Sequence, residues 1–315
     1  MTPVITVIFI LFSAISLMSG MQAGVPADSG YRDIVVAGGK ILAAGTNGRL
    51  DYYEAAPSAA SFSIPYKSDI SSVISVDRMI LAAGARGYFI ISEDGRNFKV
   101  SNTGTAYNIN GITMFKNVLV AGADNGTILV STDGISFGHI QPGVRGNILS
   151  VDSNDSFCIG VTDAGEIIKS EDGFTWRVTD FNKEYKGYYQ QCTFSKVILT
   201  EDRIAVAGSH ADNSPALFFS TSGSVWNERA LNYEDERGDF RMMESQINDI
   251  AYDADKNVFL LACDDGFLMI IPSCSKCNEL MKVTEKDIRA ICLSEGKIVI
   301  AGQDFFIKDL AFNYN

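Results

Sequence analysis

Histidine is nearly absent from this chain, with only His139 and His210 among 315 residues. A metal site built on two imidazoles would need both, drawn from distant parts of the chain, so no metal is expected. Basic residues are also few. Twenty-six Lys and Arg face 38 Asp and Glu, a formal charge of −12, and a field of that sign repels phosphate backbones and anionic headgroups. Nucleic acid is not expected as a partner, nor is a polybasic grip on a membrane. Missing too are a Gly-x-Ser-x-Gly elbow, a phosphate-binding loop and a histidine cluster, so hydrolase, kinase and metalloenzyme chemistry have no motif behind them and no cofactor is implied. What the chain does have is apolar mass and turns. Hydrophobic residues make up 46%, enough for an ample core, and 28 glycines against seven prolines give turns without a collagen-like period.

The first charged residue is Asp28, and Val4 to Met18 form a predominantly apolar run of 15. That is short for a membrane span, which needs about 20 residues, and suits a signal-peptide core followed by the small, polar flank Ser19 to Gly24. Residues 1–23 are read as a signal peptide cleaved after Ala23. The mature chain, 24–315, is then secreted or periplasmic, without a membrane segment, and its six cysteines meet an oxidising compartment.

Self-comparison reveals the organisation. The stretch Val118 to Phe137 recurs as Met79 to Phe98 and, more loosely, as Ser156 to Trp176. Each copy reads as strand, glycine turn, strand, Asp-Gly turn, aromatic. Anchored on the end of the first of these strands, the repeat falls at Gly45, Gly84, Gly122, Gly160, Gly208, Cys263 and Gly302. A second turn glycine recurs at Gly48, Gly87, Gly126, Gly165 and Gly266, where positive φ lets the hairpin close. Another short apolar run lies upstream of each anchor and a fourth follows the aromatic. Four antiparallel strands repeated seven times, with little helix, predict an all-β, seven-bladed β-propeller forming one domain. The chain could close as seven self-contained blades or by lending Val25 to Arg32 to the last one.

The turns Ser92-Glu-Asp94-Gly95-Arg-Asn-Phe98, Ser131-Thr-Asp133-Gly134-Ile-Ser-Phe137 and Ser170-Glu-Asp172-Gly173-Phe-Thr-Trp176 place their aspartates 39 residues apart. A fourth, Ser220-Thr-Ser222-Gly223-Ser-Val-Trp226, carries Ser in place of Asp. They resemble the Asp-box of sialidase-like BNR repeats, one residue shorter between Asp and Trp, and the chain is closest in style to non-catalytic propellers such as photosystem II assembly-factor-like proteins. The resemblance implies that Ser92, Asp94, Ser131, Asp133, Ser170, Asp172, Trp176, Ser220 and Trp226 are fold markers on the hairpin between third and fourth strands. A sialidase would need an arginine within a Phe-Arg-Ile-Pro segment. Here the segment is Phe62-Ser63-Ile64-Pro65, and a hydroxyl cannot replace a bidentate guanidinium.

Cys274-Ser-Lys-Cys277 falls where the sixth repeat should carry its Asp-Gly turn. In an exported chain this pair is read as a disulfide candidate, with free thiols or a metal or redox pair as alternatives. Cys158, Cys263 and Cys292 lie in strand-like apolar runs and read as buried thiols. Asn125-Gly-Thr127 and Asn154-Asp-Ser156 fit the glycosylation sequon.

Repeat spacing grows from 38 to 48 and then 55 residues around the fifth blade, and insertions carry function more often than scaffolds do. Asp180 to Cys192 brings Tyr185, Tyr188 and Tyr189. Ser209 to Pro215 brings His210 and Asp212, and Leu231 to Gln246 brings Tyr233, Arg237 and Arg241. Propeller connectivity sends all three towards one sector of one mouth. The functional expectation is a non-catalytic binding or assembly module that docks a protein or peptide there. The alternative is a lectin or glycoside hydrolase on the same ring; a carboxylate pair facing across the mouth would mark the enzyme, and a tyrosine-lined mouth without such a pair the binder.

Overall fold

The structure is a computed structural model that describes residues 29–53, 60–61, 67–273 and 277–311. The leader, Phe62 to Pro65 and Cys274 lie outside the described residues. Seven antiparallel sheets follow in order: blade 1 (31–61), blade 2 (70–102), blade 3 (109–140), blade 4 (148–180), blade 5 (192–228), blade 6 (247–282) and blade 7 (288–310). Six have four strands paired in chain order. Blade 7 has three within the described residues. Among the described residues helix is limited to Phe181–Glu184 and three-residue turns, and no described helix is long and apolar enough to cross a membrane. The chain is a seven-bladed β-propeller.

Why these residues make this ring is clearest in the second strands. In Val118–Ala123, Leu119 and Ala121 pack towards blade 2 while Val118 and Val120 pack towards blade 4. In Val258–Cys263, Phe259 and Leu261 face blade 5 and Leu260 and Ala262 face blade 7. Alternate side chains point to opposite faces, so a strand buried on both sides reads as an unbroken apolar run. Each of the seven blade junctions holds its own apolar cluster. The aromatics after the Asp-Gly turns wedge into these junctions: Phe98 between blades 1 and 2, Phe137 between 2 and 3, Trp176 between 3 and 4, and Trp226 between 4 and 5.

The turns themselves are held as their residue types require. Asp133 Oδ1 accepts from the backbone N–H of Ile135 and Ser136, both at 2.8 Å, and Ser131 Oγ accepts from Gly134 N–H at 2.9 Å. Asp94 and Asp172 repeat the carboxylate contacts. In blade 5 Ser222 Oγ reaches Ser224 N–H at 3.2 Å in the place of the carboxylate.

The first strands of successive blades pack against one another all the way round, so they line a central channel. There three aspartates tie three of the blades to their next neighbours, 1 to 2, 4 to 5 and 6 to 7. Asp33 accepts from Val73 N–H at 2.8 Å, Asp152 from Leu199 N–H at 2.7 Å and Asp249 from Ile291 N–H at 2.9 Å. Lys196 pairs with Asp249 at 2.7 Å and lies in the field of Asp33 and Asp152. At the closure of the ring Tyr31–Ala37 is the innermost strand of blade 1, and Gly30 just before it bridges to Gln303 of blade 7. Tyr31 donates to buried Asp51 at 2.5 Å, Arg49 also binds Asp51, and the Arg49 guanidinium lies 4.2 Å from the centre of the Phe305 ring in blade 7.

Two predictions follow from backbone and channel. At Gly266 φ is +72° and an added Cβ would stand 1.9 Å from Thr284 O, whereas at Gly296 φ is +73° with nothing within 4 Å. Gly266→Ala is expected to cost about 2 kcal/mol or more in chemical denaturation, and Gly296→Ala about 1 kcal/mol, so equal losses would refute the close approach. The second concerns pH. Desolvation in the channel pushes Asp152 up to about 6, so it favours folding below the unfolded value near 3.8 and loses that contribution as pH rises through 6. The Asp133 carboxyl is held down at about 2 by the Ser136 and Ile135 amides, so its contribution is present above about 4 and disappears as pH falls through 2. Relative to wild type, the melting temperature of Asp152→Asn should improve between pH 4 and 7, while the deficit of Asp133→Asn should vanish near pH 2. Flat differences across both windows would refute the assignment.

Candidate functional site: channel mouth and blade-five flank

Every innermost strand carries one extra residue near its start. Pairing with the second strand skips Arg32, Ser71, Asn110, Leu149, Ser195, Asn248 and Arg289, so each blade has a β-bulge at the same place. A bulge re-aims its side chain, and all seven residues line a channel cavity of about 320 Å³. Asn110 and Asn248 use their amides to bridge blades, donating to the carbonyls of Ile148 and Ile288 at 3.0 and 2.9 Å. Arg32 and Arg289, from adjoining blades 1 and 7, meet Asp69, Ser71 and Asn248 around a second cavity of about 390 Å³ at the mouth. Two arginines thus stand at this mouth beside one aspartate, Asp69. The sequence reading missed the ring, yet its signal is visible: Tyr31-Arg-Asp-Ile34, Ile70-Ser-Ser-Val73, Ile247-Asn-Asp-Ile250 and their equivalents space apolar residues by three where a strand should space them by two.

The three insertions do adjoin one another. Cys192, at the end of the first, lies 3.3 Å from His210 Nδ1 in the second. Gln246, at the end of the third, accepts from Ser209 Oγ at 2.5 Å and donates to Asn213 O at 2.5 Å. The place differs from expectation. The first insertion lies against the outer strand of blade 5, where Tyr185 and Tyr189 stack on Phe181 at 4.6 and 6.0 Å and their hydroxyls bond the backbone of Trp226. The third forms a hairpin, Asn232–Glu234 with Phe240–Met242, joined to blade 6 through the Tyr233 to Asn278 bridge. The convergence is therefore on the outer flank of blades 4 to 6, and the channel mouth is lined by the bulge residues, not by tyrosines.

Individual side chains sort accordingly. Tyr185 and Tyr189 are half-buried packing groups, as is Tyr233. Tyr188 is 83% exposed. Asp212 holds Ser214 N–H and Oγ in a tight turn, which keeps its carboxyl low. Arg241 pairs with Asp235 at 3.1 Å and Asp239 at 3.4 Å inside its own hairpin, and Arg237 is exposed at the tip. Phe240 and Met242, 65% and 62% exposed on one face of the hairpin's open edge, were not singled out from sequence.

His210 Nε2 lies 2.8 Å from Glu228 and Nδ1 faces the Cys192 thiol. A carboxylate on one ring nitrogen and a thiol on the other is the order of a thiol relay. Burial and then the Glu228 charge push the Cys192 thiol up to about 12, however, and a thiol kept protonated is a poor nucleophile. The trio acts as a clasp between the first two insertions and the outer strand. The channel carboxylates are likewise engaged, by Lys196 and backbone amides. Among the described residues no group of three His, Cys, Asp or Glu could hold a metal ion. Cys158 and Cys263 are buried and unpaired, Cys292 is half-buried and Cys277 exposed. Asn154 is held in a local turn, accepting from Ser156 and Phe157 N–H.

No protein-family model matches the chain, and no curated protein matches it. Solved structures do. The chain is similar to YCF48 bound to D1 peptide, at 14% identity and TM-score 0.66 over 91% of this chain and 95% of that one. YCF48 from Cyanidioschyzon merolae aligns at 14% identity and TM-score 0.63 over 90% and 96%. The β-propeller domain of Cps50 (Swd1) from Myceliophteria thermophila aligns at 10% and 0.67 over 89% and 95%, and the WD40 β-propeller domain of Doa1 at 13% and 0.66 over 90% and 92%. At these identities the likeness establishes the propeller fold.

Proposed function

We propose that this chain is an exported, non-catalytic propeller that binds a protein or peptide on the flank of blade 5. The observation that carries the reading is where apolar surface remains uncovered. Of seven large hydrophobic side chains exposed among the described residues, Tyr188, Phe240 and Met242 belong to the adjoining insertions around blade 5. Single exposed apolar residues need no explanation, but a set of them carried by insertions outside the repeat does. The edge of Phe240–Met242 that faces away from Asn232–Glu234 is open to an added strand, a common mode of peptide capture. Exposed Arg237 sits at the same hairpin, and Tyr and Arg are the types that dominate binding energy. The Asp-Gly turns support kinship with Asp-box propellers, and the likeness to YCF48 carrying D1 peptide shows such a ring holding a peptide. Export rests on the apolar leader before Asp28.

The test is capture from an extracytoplasmic fraction by wild type and by Tyr188→Ala/Phe240→Ala/Met242→Ala. These side chains are exposed, so melting temperatures should agree within a few degrees. A partner held by wild type should be lost at least tenfold by the triple variant. Equal capture by both, or none by wild type, would overturn the blade-five reading.

A further inference from the structure

A larger space lies on the face of the ring opposite the arginines. A cavity of about 1180 Å³ lies where the innermost strands of blades 4, 5 and 6 end. Apolar residues form part of its lining: Ile198 and Leu199 from blade 5, with Ile250, Ala251 and Tyr252 from blade 6, beside Asn154, Ser156 and Thr200. Ligand sites for small molecules span about 300–1,000 Å³, so this one has room for several residues of a peptide. Its rim is acidic. Asp155, Glu201 and Asp202 stand on the turns that follow those strands, all exposed. The basic groups nearby are already engaged. Arg203 bonds Ser273 and Asn257, lies over the Tyr252 and Phe259 rings and reaches Asp202 at 3.6 Å, and Lys256 pairs with Asp253 at 3.6 Å. Asp155 and Glu201 form no ion pair among the described residues.

We propose that this cavity docks a cationic peptide segment in which Lys or Arg alternates with Leu-like side chains. Both features of the site are needed to select it. A purely polar cation would leave Ile198 and Leu199 wet, and a purely apolar segment would gain no attraction from the exposed carboxylates of Asp155 and Glu201. The chain's net charge of −12 steers the same class of ligand from a distance. The site is on the other face of the ring from the arginine mouth, and its occupancy is independent of the blade-five flank.

Three fluorescent twelve-residue peptides distinguish the reading, with Lys/Leu, Lys/Ser and Glu/Leu alternation, titrated into the full chain and followed by anisotropy. The Lys/Leu peptide should bind, about tenfold more weakly to Asp155→Lys/Glu201→Lys, and the Lys/Ser and Glu/Leu peptides should bind at least tenfold more weakly than Lys/Leu. Glu184→Lys/Glu236→Lys makes the same charge change elsewhere and should bind as wild type does. Should the reversal unfold the chain, the isosteric Asp155→Asn/Glu201→Gln should still weaken binding about threefold. No binding by the Lys/Leu peptide, equal binding by the Lys/Ser peptide, or equal loss in the Glu184/Glu236 variant would overturn the proposal. So would concentration-dependent sedimentation abolished by Asp155→Lys/Glu201→Lys, which would make a second copy the occupant.

Discussion

A blade of this protein has no polar face to turn to water. Leu42 and Ala44 look one way along their strand and Ile41 and Ala43 the other, and all four are buried. Neither side can be left bare, so each sheet requires a neighbour on both sides, and the requirement is met only when blade 7 returns to blade 1. The junction there is accordingly more than apolar. Arg49 lies over Phe305 while its guanidinium, with the Tyr31 hydroxyl, holds buried Asp51. Closing the ring also crowds seven strands around one axis. The extra residue in each innermost strand relieves that crowding by letting the strand bend, and the same bend delivers Arg32 and Arg289 to the mouth. The site is thus a by-product of closure, built from residues that no apolar pattern would select.

Blade 5 shows how an insertion is absorbed by such a ring. Its outer strand is only Asn227–Glu228, too short to cover the junction with blade 4. Phe181, Tyr185 and Tyr189 supply the missing cover, stacking on one another and against Phe218. Two of the three tyrosines that mark the insertion in sequence therefore serve the core, and their hydroxyls point at backbone. Tyr188, one residue away, faces solvent because the turn after Phe181–Glu184 rotates it outward. Composition identifies the insertion as aromatic. Only the helix geometry decides which ring is offered to a partner.

The fold was legible because its period is rigid. Gly45, Gly84, Cys263 and Gly302 do end second strands, Gly122, Gly160 and Gly208 lie one or two residues inside theirs, and Gly48, Gly87 and Gly266 do take φ near +70°, since steric rules act locally and leave a mark at each repeat. The site was less legible because it depends on partners far apart in sequence. Glu228 beside His210, Gln246 between Ser209 and Asn213, and Lys196 among three channel aspartates have no local signature. Phe240 and Met242 alternate like any half-buried strand, and only the lack of a covering layer makes them surface. The bulge lies between these cases. Its three-residue spacing stands in the sequence at every repeat, but it is hidden by reading the apolar run as a block and not residue by residue.

The two ends of the channel carry different side chains, and the channel between them is itself charged. Arg32 and Arg289 stand where the innermost strands begin, Asp155 and Glu201 where those of blades 4 and 5 lead into their turns. Between them Lys196 sits among Asp33, Asp152 and Asp249, and desolvation pushes both Asp33 and Asp152 up to about 6. A chain with −12 overall would ordinarily present one electrostatic face to every partner. Arg32 and Arg289 stand at one mouth with Asp69, and at the other Asp155 and Glu201 form no ion pair among the described residues.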